Sequence, residues 1–176
     1  MKNLYLKAGV AAVAAATLSG NLYAAQASGS AAALVVTPIT VTEDAAIKLN
    51  FGDFTVGTVG GTVTVDQAGG RTAGADINLI TVGATTTPSQ GQFNVTGDAN
   101  RAITVTVDFT LAQLQDGLGN SMPLAANAAD VYPTALAAGA ATVSVGGVLT
   151  VGASQAPGAY STATGGTPYT VTVNYQ

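Results

Sequence analysis

The stretch Tyr169-Thr170-Val171-Thr172-Val173-Asn174-Tyr175 decides the fold class, because apolar and polar residues alternate along its whole length. Successive side chains of a β-strand point to opposite faces, so the alternation predicts a strand whose apolar face is Tyr169, Val171, Val173 and Tyr175. Such a strand either closes a sheet or presents an edge that another chain must cover.

Similar short segments recur along the chain at intervals typical of a β-sandwich or a barrel. The predicted strands cover residues 47–51, 54–56, 62–65, 77–82, 92–96, 102–109, 141–145, 148–151 and 168–175. Strict alternation in 103–109 predicts that Ile103, Val105, Val107 and Phe109 share one buried face. We therefore expect an all-β fold, built as a sandwich or a barrel.

Several segments between these strands carry turn or loop signals. Gly60-Gly61 and Gly146-Gly147 are each predicted to form a tight hairpin turn, because glycine accepts a positive φ without steric cost. Residues 111–115 are long enough for one helical turn before Asp116-Gly117. The alanine-rich stretch 125–140 is predicted to be a loop that crosses between sheets, with a short helix as the alternative.

The beginning of the chain predicts export. Lys2 and Lys7 flank a mildly apolar run over 8–18, and Ala25-Gln26-Ala27 is a small-residue cleavage site, so residues 1–27 are predicted to be a secretory signal peptide. The mature chain then starts at Ser28. We expect an N-terminal extension over 28–42, a β-sandwich domain over 43–176, and no membrane insertion after signal cleavage.

Composition excludes several classes of function. The chain contains no His and no Cys, so it lacks the commonest general base, the thiol nucleophile and the soft metal ligands, and we predict that it is not an enzyme. Charged residues make up 8% of the chain and the formal net charge is −4, which argues against nucleic-acid binding. An exported chain without cysteine also depends on burial and strand pairing for its stability.

The remaining charged residues indicate local structural roles. Most aspartates stand singly at the ends of predicted strands, where Asp commonly bonds turn backbone. Glu43-Asp44 is the only adjacent acidic pair and no calcium-loop motif is present, so we predict no metal and no cofactor and leave calcium binding open. Arg71 and Arg101 are interpreted as partners of neighbouring aspartates, with binding of a carboxylate or a sugar as the alternative.

The extension carries the strongest functional signal. Ala33, Val35, Ile39 and Val41 share one parity after a small-residue leader, which predicts an amphipathic strand with freedom to move. Strand addition to an open sheet edge requires a segment of this kind. We predict that it is a donor strand, and the sequence leaves open whether it acts on its own domain or on another copy.

Two motifs connect the chain to a known family. Leu49-Asn50-Phe51-Gly52 near the start of the domain and Gly158-Ala159-Tyr160 followed by Val171-Thr172-Val173-Asn174-Tyr175 at its end resemble a secreted bacterial domain of unknown function. That domain is in turn similar to the spore coat U domains of archaic chaperone–usher pili. The cysteines that spore coat U domains usually carry are absent here.

The resemblance implies an immunoglobulin-like antiparallel β-sandwich that lacks its last strand, which the N-terminal extension of the next subunit fills in the polymer. The expected function is then a structural subunit of an extracellular fibre, or pilin-like protein, exported through the periplasm to a cell-surface fimbrium. Its partners would be further copies of itself, a periplasmic chaperone and an outer-membrane usher. The alternative is a self-contained cell-surface domain for adhesion or sugar binding.

Overall fold

The structure is a computed structural model that describes residues 26–176. Two units divide this part of the chain, residues 26–34 and residues 35–176. The first unit contains no strand, and its side chains are exposed. The second is built from antiparallel strands, and the described residues contain no helix, so none that could cross a membrane lies among them.

Ten strands make up the domain. They are β1 (Thr40–Glu43), β2 (Phe54–Val65), β3 (Arg71–Leu79), β4 (Gly91–Thr96), β5 (Ile103–Asp108), β6 (Gln113–Gln115), β7 (Ser121–Ala125), β8 (Ala140–Val145), β9 (Gly147–Val151) and β10 (Thr170–Tyr175). One sheet has the order β3-β2-β9-β7-β6, a second β1-β4-β8, and a third β10-β5. Their inward side chains form one core, so the prediction of an antiparallel β-sandwich is confirmed.

The five-stranded sheet is centred on β2, the longest strand. Both halves of β2 pair with β3, and the register shifts between Val56 and Gly61. Gly60, with a φ of 79°, lies in this irregular part of the strand. The predicted hairpin at Gly60-Gly61 is therefore wrong, because the glycines serve a bulge inside one strand.

The glycine pair Gly146-Gly147 carries the chain between sheets. β8 pairs with β4, whereas β9 pairs with β2 and β7, so the predicted hairpin is wrong here too. A Cβ on Gly146 would lie 2.6 Å from the carbonyl oxygen of Val65. Glycine is needed at this crossing because the chain passes close to the main chain of β2.

Several other segments differ from expectation. Residues 47–51 contribute only an isolated bridge between Asn50 and Ser89, and the possible helical turn near residue 113 is instead β6. β7 was not expected, because Pro123 interrupts its pattern. Ala125 ends β7 and Ala140 begins β8, and the residues between them form no helix or further strand. The stretch 125–140 therefore connects two sheets as a loop, as predicted.

The core is purely apolar among the described residues. Its fully buried side chains come mainly from the five-stranded sheet and β8, including Val63, Val65 and Leu149. The predicted face of β5 is confirmed, since Ile103 and Phe109 are buried, Val105 and Val107 are half-buried against the core, and the alternate residues are exposed. We call the β1-β4-β8 and β10-β5 sheets together the split sheet. Most inward side chains of its β10-β5 part are less completely buried than Val63 and Val65 of the five-stranded sheet.

Candidate functional site

Among residues 26–176, β1 and β10 each have one paired edge and one free edge. β1 pairs with β4, and β10 pairs with β5 in full register from Thr170 to Tyr175. Within residues 26–176 no ladder joins β1 to β10, although Tyr175 at the end of β10 contacts Thr37 just before β1. The two strands therefore lie near each other with a gap in the hydrogen bonding between them, which we call the strand gap.

The free edge of β10 is defined by the alternation of antiparallel hydrogen bonds. The Gln176 amide donates to the Ala102 carbonyl at 3.1 Å, on the β5 side. Bonded and non-bonded pairs alternate along such a ladder, so Thr170, Thr172 and Asn174 bond to β5. The N–H and C=O groups of Val171, Val173 and Tyr175 consequently point into the strand gap.

The same argument applies to β1. The Asp44 amide donates to the Gln92 carbonyl at 2.8 Å, which makes Thr42 and Thr40 the residues that bond to β4. The main-chain groups of Val41 and Glu43 then face away from β4. Both sides of the strand gap thus present main-chain donors and acceptors that a further strand can satisfy.

The floor of the strand gap is apolar and incompletely buried. Ile39 and Val41 on one side, and Val171 on the other, pack against the core but keep part of their surface exposed. By contrast, Val63 and Val65 in the opposite sheet have no exposed surface. A strand laid into the gap would cover these side chains and gain free energy from the apolar area removed from water.

Tyr169 supports one end of this floor. Its ring stacks on Phe109, with the centroids 4.8 Å apart, and meets Phe93 edge-on at 5.9 Å. Its hydroxyl is buried, lies against Gly91 and has no hydrogen-bond partner in the part of the chain that the structure describes. Burial raises the pKa of Tyr169, so the ring stays neutral and acts as a packing element.

Tyr175 supports the other end of the floor, and its hydroxyl has two hydrogen-bond partners. The Asp98 amide donates to its hydroxyl at 2.5 Å, and the hydroxyl donates to the Thr37 carbonyl at 2.7 Å. The next bonded position in the β1 ladder would join Pro38 to Asp98, but Pro38 has no N–H and the Asp98 amide is already used. The Tyr175 hydroxyl therefore takes the place of the next ladder hydrogen bond, just before β1 begins.

The residues predicted for the donor strand divide into two groups. Ala33 and Val35 are exposed, Val35 by 94%, and precede the first strand. Ile39 and Val41 pack against the core of residues 35–176, and Val41 lies opposite Val95 in β4. All four residues predicted for the C-terminal strand, Tyr169, Val171, Val173 and Tyr175, pack on or within the core beside the strand gap.

Both arginines and several aspartates have structural partners rather than a shared site. Arg101 pairs with Asp98 at 2.9 Å, as expected. Arg71 instead donates to the carbonyls of Phe51, Asp53 and Ile80, so its predicted ion pair is wrong. Asp66 and Asp116 bond turn backbone as predicted, and the described residues hold no cluster of three metal-ligating side chains.

Sequence reasoning missed the roles of Gly91 and Gly97. A Cβ on Gly91 would overlap the hydroxyl of Tyr169, just before β10, and a Cβ on Gly97 would overlap that of Tyr175 at the end of β10. The sequence did contain a signal for these roles, since the two glycines flank the alternating pattern of 92–96. A glycine beside a strand often marks a place where another group approaches the main chain closely.

Comparison with known proteins places the chain in one family. Residues 39–175 match the model of DUF4402, a domain of unknown function. The chain belongs to this family. No curated protein and no solved structure matches it. The DUF4402 match begins one residue before β1 and ends with β10, so it spans both sides of the strand gap.

Proposed function

We propose that this DUF4402 chain is a structural subunit of an extracellular fibre that polymerises by donor-strand complementation. The observation that supports the proposal is the strand gap, where two free edges face each other above half-buried apolar side chains. Main-chain groups at such edges give affinity to an added strand, and the exposed apolar side chains give it specificity. No catalysis is needed for this role.

The proposed donor is the segment 28–37 of a second copy. At about 3.3 Å per residue it spans about 33 Å, enough to cover the six residues of β10. It carries no charged residue, and Leu34 and Val35 are 79% and 94% exposed. Ile39 and Val41 pack against the core of the domain that follows the donor segment in the same chain, so the proposed inward donor side chains are Ala33 and Val35.

This arrangement implies an open, head-to-tail assembly. Each copy offers one donor and one strand gap, and a contact between two different surfaces that does not close on itself generates a filament. The predicted signal peptide, almost all of which lies outside the described residues, supports export through the periplasm to the cell surface. A chaperone and an usher are the proposed partners, since a free subunit needs its open edge covered until assembly.

Three forms of the exported chain test the proposal. The first is the mature chain from Ser28, the second lacks residues 28–36, and the third lacks them at the N-terminus but carries 28–37 after Gln176 through a short Gly/Ser linker. We expect only the first form to assemble into filaments. The third form should be a soluble monomer, and its Tm should be higher than that of the second, deleted form. Size-exclusion chromatography, electron microscopy and thermal melting provide the measurements.

A matched substitution controls for general effects of the deletion. Val35→Asp in the mature chain is expected to abolish filaments, because a charge cannot enter the apolar gap. Ser28→Asp, at the start of the segment, should leave them intact. A mature chain that is monomeric at every concentration would contradict the proposal and favour the self-contained adhesion or sugar-binding domain.

A further inference from the structure

Tyr169 and Tyr175 connect β10 to β4 across β1. β4 lies between β8 and β1, and β10 lies on the far side of β1. The Tyr169 hydroxyl nevertheless lies against Gly91, which begins β4. At the other end, the Tyr175 hydroxyl lies against Gly97 and accepts a hydrogen bond from the Asp98 amide, just past the last residue of β4. We call these two side chains the cross-gap tyrosines.

The reach of the cross-gap tyrosines limits the distance between β4 and β10. Neighbouring strands lie about 4.8 Å apart, so β4 and β10 are about 10 Å apart with β1 alone between them and about 14 Å apart with a further strand beside β1. A tyrosine side chain is long enough for the first distance and too short for the second. Since both ends of β10 are tied to β4 in this way, the strand gap is too narrow to hold a hydrogen-bonded strand.

We propose that the cross-gap tyrosines are positioning residues that hold the strand gap narrow in the free subunit, and that a donor strand enters only when β10 moves away from β4. This inference rests on the proposed function, since it concerns how the same gap receives its donor. β5 moves with β10, because the two strands pair in full register. The movement therefore separates the two halves of the split sheet, β8-β4-β1 on one side and β10-β5 on the other.

The contacts that must break are those between the two halves. Tyr175 loses both hydrogen bonds of its hydroxyl, because their partners lie beside β4 and β1. Tyr169 loses its edge-on contact with Phe93 of β4, whereas its stacking on Phe109 is kept, because Phe109 directly follows β5. These losses oppose assembly, so the hydrogen bonds and the apolar burial that a donor brings must exceed them.

Removal of one hydroxyl tests the energetic part of the proposal. Tyr175→Phe deletes two hydrogen bonds that the parent must break when the gap widens. We expect the mature variant to have a lower Tm as a monomer, yet to form filaments at a critical concentration about tenfold lower than the parent, since these bonds no longer oppose widening. A side chain with a merely structural role would not improve assembly while it lowers the Tm.

Tyr160→Phe is the matched control. The Tyr160 hydroxyl also accepts from an amide, the side chain of Gln155 at 3.1 Å, and donates to a carbonyl, that of Ala156 at 2.8 Å. It precedes Ser161, which bridges to Gln115 of β6 in the five-stranded sheet rather than in the split sheet. This variant should lower the Tm without lowering the critical concentration.

Spin labels measure the movement itself, and the chain has no cysteine that would compete for the label. Thr106→Cys in β5 and Thr142→Cys in β8 place labels at exposed positions of the two halves. On assembly of the mature chain we expect the distance between them to grow by about 5 Å, one strand spacing. Thr72→Cys and Ser121→Cys, at exposed positions of β3 and β7, form a control pair whose separation should not change. Dilution into unlabelled chain excludes distances between copies.

Two results would overturn the inference and leave the proposed function intact. One is a filament in which the labels at 106 and 142 are no farther apart than in the monomer. The other is a critical concentration of Tyr175→Phe that is no lower than that of Tyr160→Phe. A parent chain that forms no filament at any concentration contradicts the proposed function itself, and this inference with it.

Discussion

Gly91 begins β4 and Gly97 follows it directly, and the hydroxyls of Tyr169 and Tyr175, respectively, lie against them. Gly91→Ala is expected to lower the free energy of unfolding by about 1 to 3 kcal/mol, since the new methyl group overlaps the Tyr169 hydroxyl. Adding Tyr169→Phe should recover most of this loss, because the ring carbon beneath the hydroxyl is 3.4 Å from the new Cβ. Denaturant unfolding of the single and double variants measures the coupling.

The Gly97 site provides the contrast. There the added Cβ also lies 2.8 Å from Cδ1 of Leu136, which Tyr175→Phe does not move. Gly97→Ala should therefore stay destabilised in the double variant. Equal recovery at both sites would show that the tyrosine hydroxyls are not what makes these two positions require glycine.

The hydrogen bonds of Asp53 are expected to make the stability of the folded state depend on pH in acid. Main-chain and hydroxyl groups of Thr85 and Thr86 donate to its carboxylate and lower its pKa to about 2. A lowered pKa stabilises the folded state above the unfolded value of 3.8, and that contribution is lost as the pH falls through about 2. Asp53→Asn should remove this part of the acid dependence.

The acid dependence is checked by unfolding the parent and variant between pH 5 and about pH 2. Thr86→Val removes the hydroxyl that lowers the Asp53 pKa most, so it should reduce the acid-induced loss only in part. Identical pH profiles for the parent chain and Asp53→Asn would contradict the assignment.

At the scale of the element, β5 tests which face of the split sheet is buried. Val105→Asp is expected to destabilise the domain by about 2 kcal/mol or more, because it places an unpaired charge against the core. Thr106→Asp, on the exposed face one residue later, should change stability by less than about 0.5 kcal/mol. Tm values for the two variants decide it, and a larger loss for Thr106→Asp would mean that the faces are reversed.

The glycine pairs show why local pattern predicted strands better than their connections. Around Gly60-Gly61 and Gly146-Gly147 the flanking residues alternate as strands should, and strands are found there. Whether the chain continues, turns back or changes sheets depends on the partner of each strand. β2 continues because β3 pairs with both of its halves, and β9 leaves β8 because it pairs with β2 and β7.

At the scale of the whole molecule, the strand gap predicts alternating amide protection within β10. The amides of Thr172 and Asn174 bond to β5 and should exchange slowly in the monomer, whereas those of Val171 and Val173 face the gap and should exchange quickly. Assembly should protect the fast pair, since an added strand supplies acceptors. Hydrogen exchange on monomer and assembled material measures this, and slow exchange of Val173 in the monomer would mean that the gap is already closed.

The sequence by itself determined the fold class and much of the site. Alternation along 103–109 and 169–175 identified two strands and their buried faces, because side-chain direction in a strand depends only on position along the chain. It also placed Tyr169, Val171, Val173 and Tyr175 on one face. These conclusions needed no knowledge of which strands are neighbours.

Only the tertiary structure showed which strands lie next to that face. Strand pairing joins residues far apart in sequence, so no local pattern shows that β1 and β10 lie side by side without pairing, or that Val41 sits opposite Val95. The same applies to the Tyr175 hydroxyl, whose partners at Thr37 and Asp98 are distant in the chain. Hydrogen bonds across a sandwich depend on which strands the fold brings together, and that is set by burial of the whole core rather than by any one segment.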